Sequence, residues 1–421
     1  MSFKAKVAIT KAQKNIGAPD KYNREQLDEV KRMVRSVADG SMGGMQNIVK
    51  PGNNVVIKIN TVVPSDPGSG FTTDPRVLEA VIELIKEQNP GSVKIIERCA
   101  QGRDTLVAME GCGIVDVAKR TGAELCPLDN VEWEMFDTGI PNSFRTFPVA
   151  KIIKEADVYI GLPKMKVHIH TGITNALKLQ FGCLPDYFWM AECHRDDIYQ
   201  KITNLNIANK ATWFLVDCLY ACQGNGPFSP YADDLIKDFN VMYAGKDPVA
   251  VDTVCEAIMD WDQPGTNPVT VCAANNGLGT NKLEEIEIVG EPIANVKRRF
   301  NKADTALTGV FDGVNVVVGS ACEPGCRVLV RMALDALKVN GVLARRKKPL
   351  TIFTGLQFEP YVKDAEGDII VYGDCAKKML EFYPDAKYFG SSEEHKPCTP
   401  IWSNKPVIGL VPYVTSISPE E

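Results

Sequence analysis

Short apolar runs alternate along the first two thirds of the chain with segments whose apolar residues recur at three and four positions. Residues 6–10 (KVAIT), 54–59 (NVVIKI), 92–97 (SVKIIE), 158–162 (VYIGL) and 212–216 (TWFLV) read as buried strands. Between them, residues 24–37 place Leu27, Val30, Met33, Val34 and Val37 on one helical face. A second helix spans 77–87, with Thr73 or Asp74 as its cap and Pro75 at its first position. Residues 105–121 read as a helix broken at Gly111-Cys112-Gly113, and 196–208, 247–261 and 266–275 as further helices. Smaller strands fall at 124–126, 240–243 and 284–289, and residues 127–147 form a polar excursion. Strand, loop and helix in alternation predict an α/β fold, a mostly parallel sheet flanked by helices and joined by right-handed crossovers. Residues 40–47 (GSMGGMQN) lack the Gly-Lys-Ser/Thr of a phosphate loop and read as a plain turn.

The pattern pauses over a connector, 291–312, and restarts. Strands are expected at 313–319, 350–354 and 368–372, with helices at 327–339 and after 375. The organisation is therefore an α/β domain over 1–290 and a smaller, flavodoxin-like α/β domain over 313–421.

Charge changes the picture in one place. The chain has 421 residues and a net charge of -6, yet from Val158 to Pro185 it has no acidic residue. That stretch holds Lys164, Lys166, Lys178, His168 and His170. It is expected to run from the 158–162 strand through a 163–171 loop into a helix over 171–181, ended by Gly182. On that helix Thr171, Thr174 and Lys178 share a face. Parallel sheets bind ligands beyond the carboxyl ends of their strands, where Lys58, Asn60, Thr73 and the 163–171 loop all lie. The residues expected to bind a small anionic substrate are thus Lys58, Asn60, Lys164, Lys166, Thr171 and Thr174. His168 and His194 suit general acid–base work because histidine titrates near neutral pH. His170, two residues from His168 in an extended segment, shares its side and suggests nickel or another metal held by both.

The mild acidity excludes a general nucleic-acid binder, and no apolar run reaches membrane-spanning length. The first residues lack a secretory h-region, so a cytoplasmic protein is expected. Thirteen cysteines then suggest buried thiols or a metal or cluster site rather than disulfides. No Gly-x-Gly-x-x-Gly follows a strand, which leaves a dinucleotide site without support.

Five segments, VVIKIN, TTDPRVLEAVIELI, DVYIGLPKMKVHIHTGITNALKLQFG, VDCLYACQGNGP and GKDPVAVDTV, together resemble the domain-of-unknown-function family 362 over roughly residues 50 to 260. The resemblance implies an α/β fold, proximity to iron–sulfur modules and, more distantly, a likeness to the N-terminal domain of nickel-dependent lactate racemase. It carries Lys166, His168, Lys178 and His194 over as site residues, with Lys178 joining the two histidines in catalysis. It also matches the turn holding Gly224 and Gly226. Val167 and Leu179 stand where the family has threonine and asparagine, so two polar groups of the presumed site are missing.

In the tail, Cys322, Cys326 and Cys375 fall at expected strand ends, and Cys398 follows in Pro-Cys-Thr-Pro beside His395. The arrangement is similar to the cluster-bearing small subunits of nickel–iron hydrogenase and respiratory complex I. It implies one [4Fe–4S] cluster on the four thiolates. The expected function is an iron–sulfur oxidoreductase or electron-transfer protein acting on a small anionic substrate, with an electron-transfer partner. A hydroxy-acid racemase or lyase and a non-catalytic metal or cluster carrier are the alternatives.

Overall fold

The computed structural model describes residues 3–100, 104–141, 144–194, 197–321, 323–357, 365–390 and 405–418. The chain divides into two compact units: Met1–Cys193 with Asp197–Ala303, and Asp304–Glu421 with His194–Asp196. The division falls inside the 291–312 connector. Its first half belongs to the front unit, where Val296 and Phe300 are buried in the core.

In chain order the front unit holds β1 (Ala5–Lys11), β2 (Asn54–Lys58), β3 (Ser92–Glu97), β4 (Glu124–Pro127), β5 (Trp133–Asp137), β6 (Thr146–Ala150), β7 (Val158–Gly161), β8 (Lys164–His168), β9 (Gly172–Thr174), β10 (Trp213–Cys222), β11 (Leu235–Ile236), β12 (Val241–Gly245) and β13 (Ile286–Gly290). One sheet runs β13-β1-β12-β10-β7-β2-β3-β4, with β8 and β11 attached at β10 and β9 at β8. From β10 to β4 every pairing on this path is parallel, whereas β12 lies antiparallel to both β10 and β1. The expected sheet is therefore present but mixed. The polar excursion contains a separate hairpin, β5 with β6.

The helix starts follow one chemical rule. Asp74, Asp247 and Asn267 each accept a backbone N–H through their side chains, and each precedes a proline at the first helical position. Asn23 and Gln26 form a reciprocal capping box at the head of Arg24–Met42. That helix runs through Gly40, which had read as loop, and ends at Gly43 with φ 74°. A Cβ on Gly40 would come 2.8 Å from the Ala8 side chain, so the glycine permits close packing of helix on strand. Helices Arg24–Met42 and Pro75–Lys86 cover one face of the sheet with Val30, Val34, Val81 and Ile85. The other face packs Phe214, Val216 and Tyr243 against helix Pro248–Ile258.

The second unit contains β14 (Val314–Val318), β15 (Leu350–Thr354), β16 (Asp368–Tyr372) and β17 (Lys387–Phe389), all parallel and in sequence order. Among the described residues this sheet has no reversal of strand order of the flavodoxin kind. Helix Val328–Val339 packs Val330, Leu334 and Leu337 against Val316 and Ile352.

Candidate functional site

The 157–194 stretch differs from its expected form. Pro163 ends β7, but the chain re-enters the sheet at once: β8 lies parallel to β10, and β9 folds back on β8 with His168 opposite Gly172 and Lys166 opposite Thr174. Gly172, at φ 75°, makes that reversal. Over the expected 171–181 helix, helical structure is confined to Ala176–Leu179 and the 3-10 turn Gln180–Cys183. Thr171, Thr174 and Lys178 therefore do not share a helical face. Tertiary pairing overrides the helical spacing because β8 needs a partner for its second edge. Thr171 bonds its own hairpin, Oγ1 to the Ile173 carbonyl at 3.0 Å, whereas buried Thr174 Oγ1 finds no protein partner among the described residues.

Four lysines converge here, and they fall into two kinds. Lys58 Nζ donates to Glu97 Oε1 at 2.6 Å, both side chains being at most 2% exposed. Lys164 Nζ donates to Asp217 Oδ2 at 2.9 Å, with exposures of 1% and 0%. Burial raises the Glu97 and Asp217 carboxyls, and the facing lysines oppose that rise. Backbone N–H groups of Thr61, Arg98, Asp74 and Leu219 occupy further carboxylate lone pairs. Placed in these pairs, Lys58 and Lys164 hold strands together and have their charge neutralised.

Among the described residues Lys166 and Lys178 have no such carboxylate. Lys166, fully buried, donates to two neutral acceptors, Asn60 Oδ1 at 2.8 Å and the Phe71 carbonyl at 2.6 Å. The reason lies in the ladder. Lys164 stands opposite Asp217, but the register shifts before Lys166, which stands opposite Cys222. Burial first, then the charges of Lys178 and Lys164, lower its ammonium to about 7, against the pull of Cys222 and Glu97. Lys178 is partly exposed, has its ammonium 4.1 Å from the centre of the Phe181 ring, and has no hydrogen-bond partner among the described residues. Burial, with the charge of Lys58, lowers it to about 8.

His168 sits at the end of β8 with Nδ1 accepting the N–H groups of His170 at 3.0 Å and Thr171 at 3.3 Å. The His168 and His170 rings lie 6.4 Å apart between centres. His170 is lowered to about 3 by burial and by Lys178. His168 Nδ1 is turned to the backbone, and among the described residues no group of three or more His, Cys, Asp or Glu is placed to hold a metal. His194 ends helix Tyr187–His194 and groups with the second unit.

The glycine turn serves the same hairpin. A Cβ on Gly226 would come 1.9 Å from the Val167 carbonyl, and the Gly226 carbonyl accepts the Ile169 N–H at 2.9 Å. Gly224 has φ 68° and abuts the Asp234 carboxylate. Gly226 thus packs directly on β8, and Gly224 on the Asp234 carboxylate. Missing from the sequence reading were Glu97, Asp217, Phe71 and Cys222. The sequence carried a signal for the first of these, Lys58 inside the buried 54–59 strand, which requires a buried partner, whereas Lys164 lay in an expected loop.

Of the four tail thiols, Cys322 and Cys398 lie outside the described residues. Cys326 is buried, with its Sγ 2.8 Å from where a Cβ on Gly373 would stand, and Cys375 is exposed.

Residues 55–257 match the family described as a domain of unknown function, DUF362. This bears out the resemblance carried by the five sequence segments. A thylakoid-associated protein of Synechocystis sp. is 29% identical over 255 residues, covering 57% of this chain and 72% of that protein. Two solved structures align over most of the chain. The lactate racemase apoprotein of Thermoanaerobacterium thermosaccharolyticum has 14% identity, a TM-score of 0.33 and coverage of 86% and 90% of the two chains. A structural-genomics protein from Thermotoga maritima has 10% identity, a TM-score of 0.36 and coverage of 89% and 92%. No helix among the described residues is long and apolar enough to cross a membrane.

Proposed function

We propose that the front unit binds a small anionic substrate at Lys166 and Lys178 and carries out proton transfer on it. One observation carries this reading: of four converging lysines, two are neutralised by buried carboxylates and two are not. A charge left unpaired in a dry site is costly, and an incoming carboxylate or phosphate oxygen removes that cost. Asn60 orients Lys166, Thr174 Oγ1 supplies a further polar atom, and His168 stands at the end of the same strand. The test is calorimetric titration with acetate, malonate and inorganic phosphate. Binding of at least one, weakened tenfold or more by Lys166→Met and by Lys178→Met, is the expected result. No heat with any of the three sinks the reading.

A second reading concerns the tail. Gly373 leaves room for Cys326 Sγ at the end of β16, and Cys375 follows two residues later. This supports Cys326 and Cys375, with Cys322 and Cys398, as thiolate donors to a [4Fe–4S] cluster, which would supply one-electron chemistry. The chain would then be an iron–sulfur oxidoreductase or carrier rather than an unassisted isomerase. Anaerobic purification with iron, sulfide and nickel analysis decides. Iron with sulfide supports the cluster, nickel favours the racemase-type alternative, and absence of all three removes both.

A further inference from the structure

We propose that Asp252 and Glu256, two buried carboxyls one turn apart on helix Pro248–Ile258, are positioning residues that fix where Thr174 and Lys178 stand relative to Lys166. The proposal rests on the anion-site reading and adds what holds that site in register.

The element that needs holding is β9. It has three residues and pairs with β8 alone. Its register is set by three rungs, His168 to Gly172, Val167 to Ile173 and Lys166 to Thr174. A slip by one residue would turn Thr174 to the opposite face and carry Lys178 with it. So short a ladder resists that slip only weakly. The helix that follows is no firmer, because Asn175 at its head makes no side-chain cap. Both ends of the 171–176 segment are tied instead to one neighbouring helix.

At the far end, Asp252 Oδ1 accepts the Ala176 N–H at 2.9 Å, and the Leu177 N–H also faces its carboxyl. Asp252 thus caps, from another helix, the turn that presents Lys178. At the near end the link has two steps. Glu256 Oε2 accepts the consecutive N–H groups of Gly265, Thr266 and Asn267 at 3.0, 3.2 and 3.2 Å, and Oε1 accepts the Thr270 hydroxyl at 3.0 Å. Asn267, fixed in this way, caps helix Pro268–Asn275 through Oδ1 and donates Nδ2 to the Thr171 carbonyl at 2.9 Å. The fit is close: a Cβ on Gly172 would come 2.1 Å from that Nδ2, so only glycine, at φ 75°, lets the hairpin reverse against it.

Neither carboxyl forms an ion pair among the described residues. What they supply is acceptor capacity. Glu256 takes four donors, which a carboxylate can do and an amide oxygen cannot. Residues four apart share one helical face, so a single rigid element holds both ends of β9.

Malonate titration and the NMR signal of the Lys178 ε-methylene test the clamp. The Lys178 ammonium lies 4.1 Å from the centre of the Phe181 ring, so the ring current displaces that signal, and Lys178→Met assigns it. Asp252→Leu removes the acceptor at similar volume, and Asp252→Asn restores it. Asn267→Ser keeps a helix cap but is too short to reach Thr171. Asp252→Leu and Asn267→Ser should each move the signal toward that of an exposed lysine and weaken malonate about tenfold. Asp252→Asn should leave both close to native. A native-like signal in either Asp252→Leu or Asn267→Ser overturns the clamp, and so does a signal lost equally in Asp252→Asn. If Asp252→Leu does not fold, Asn267→Ser decides. Malonate that fails to bind the native chain overturns the anion site alone, since the Lys178 signal tests the clamp without it.

Discussion

The two ends of β8 teach opposite lessons about the same side chain. At its start, Lys164 faces Asp217 across a regular rung of the ladder, and the pair locks β8 to β10. Two residues on, beyond a register shift, Lys166 meets a cysteine and two neutral oxygens. Both lysines are almost wholly buried, so burial alone does not separate scaffold from site. What separates them is the counter-charge. A paired lysine stabilises the strand it stands on, and an unpaired one stores a cost that a ligand can relieve.

The comparison breaks most visibly at the paired end. Asp217→Ala should cost about 3–5 kcal/mol in denaturant unfolding, since it leaves Lys164 buried without its partner and frees the N–H groups of Asp74 and Leu219. A loss below about 1 kcal/mol would mean that Lys164 is hydrated and unpaired in solution. Next in size is Gly226→Ala. The added methyl has no room against the Val167 carbonyl, and about 1–3 kcal/mol of stability should go with the hairpin geometry.

Lys166→Met sharpens the other side. The native ammonium is lowered to about 7, while an unfolded lysine titrates near about 10.4. Between those values the unfolded state holds a proton that the folded state lacks, so native stability rises with pH across the window. Relative to Lys166→Met, the native chain should gain up to about 1.4 kcal/mol per pH unit above neutrality. A stability difference that stays flat across that window would mean that Lys166 keeps its proton when folded. The smallest effect belongs to His170→Gln. His170 lies lowered to about 3 and is already neutral at physiological pH, so anion affinity should change by less than about threefold. A tenfold loss would place His170 among the ligand contacts.

Much of the fold was legible because its signals are local. Asp74-Pro75, Asp247-Pro248 and Asn267-Pro268 announce helix starts through the chemistry of the cap, and VVIKI or TWFLV can only be buried. The acid-free stretch around Lys166 and Lys178 also stands out in the sequence by itself, as does the turn at Gly224 and Gly226. Three things were decided only in the folded chain. The 171–181 segment became a strand and a short helix, because an open edge of β8 outweighs helical spacing over so few residues. β12 turned antiparallel, which no apolar run can encode, since a run reads the same in both directions. And the four lysines divided into paired and unpaired, because Glu97 and Asp217 lie 39 and 53 residues from the lysines they neutralise, a proximity that only the sheet creates.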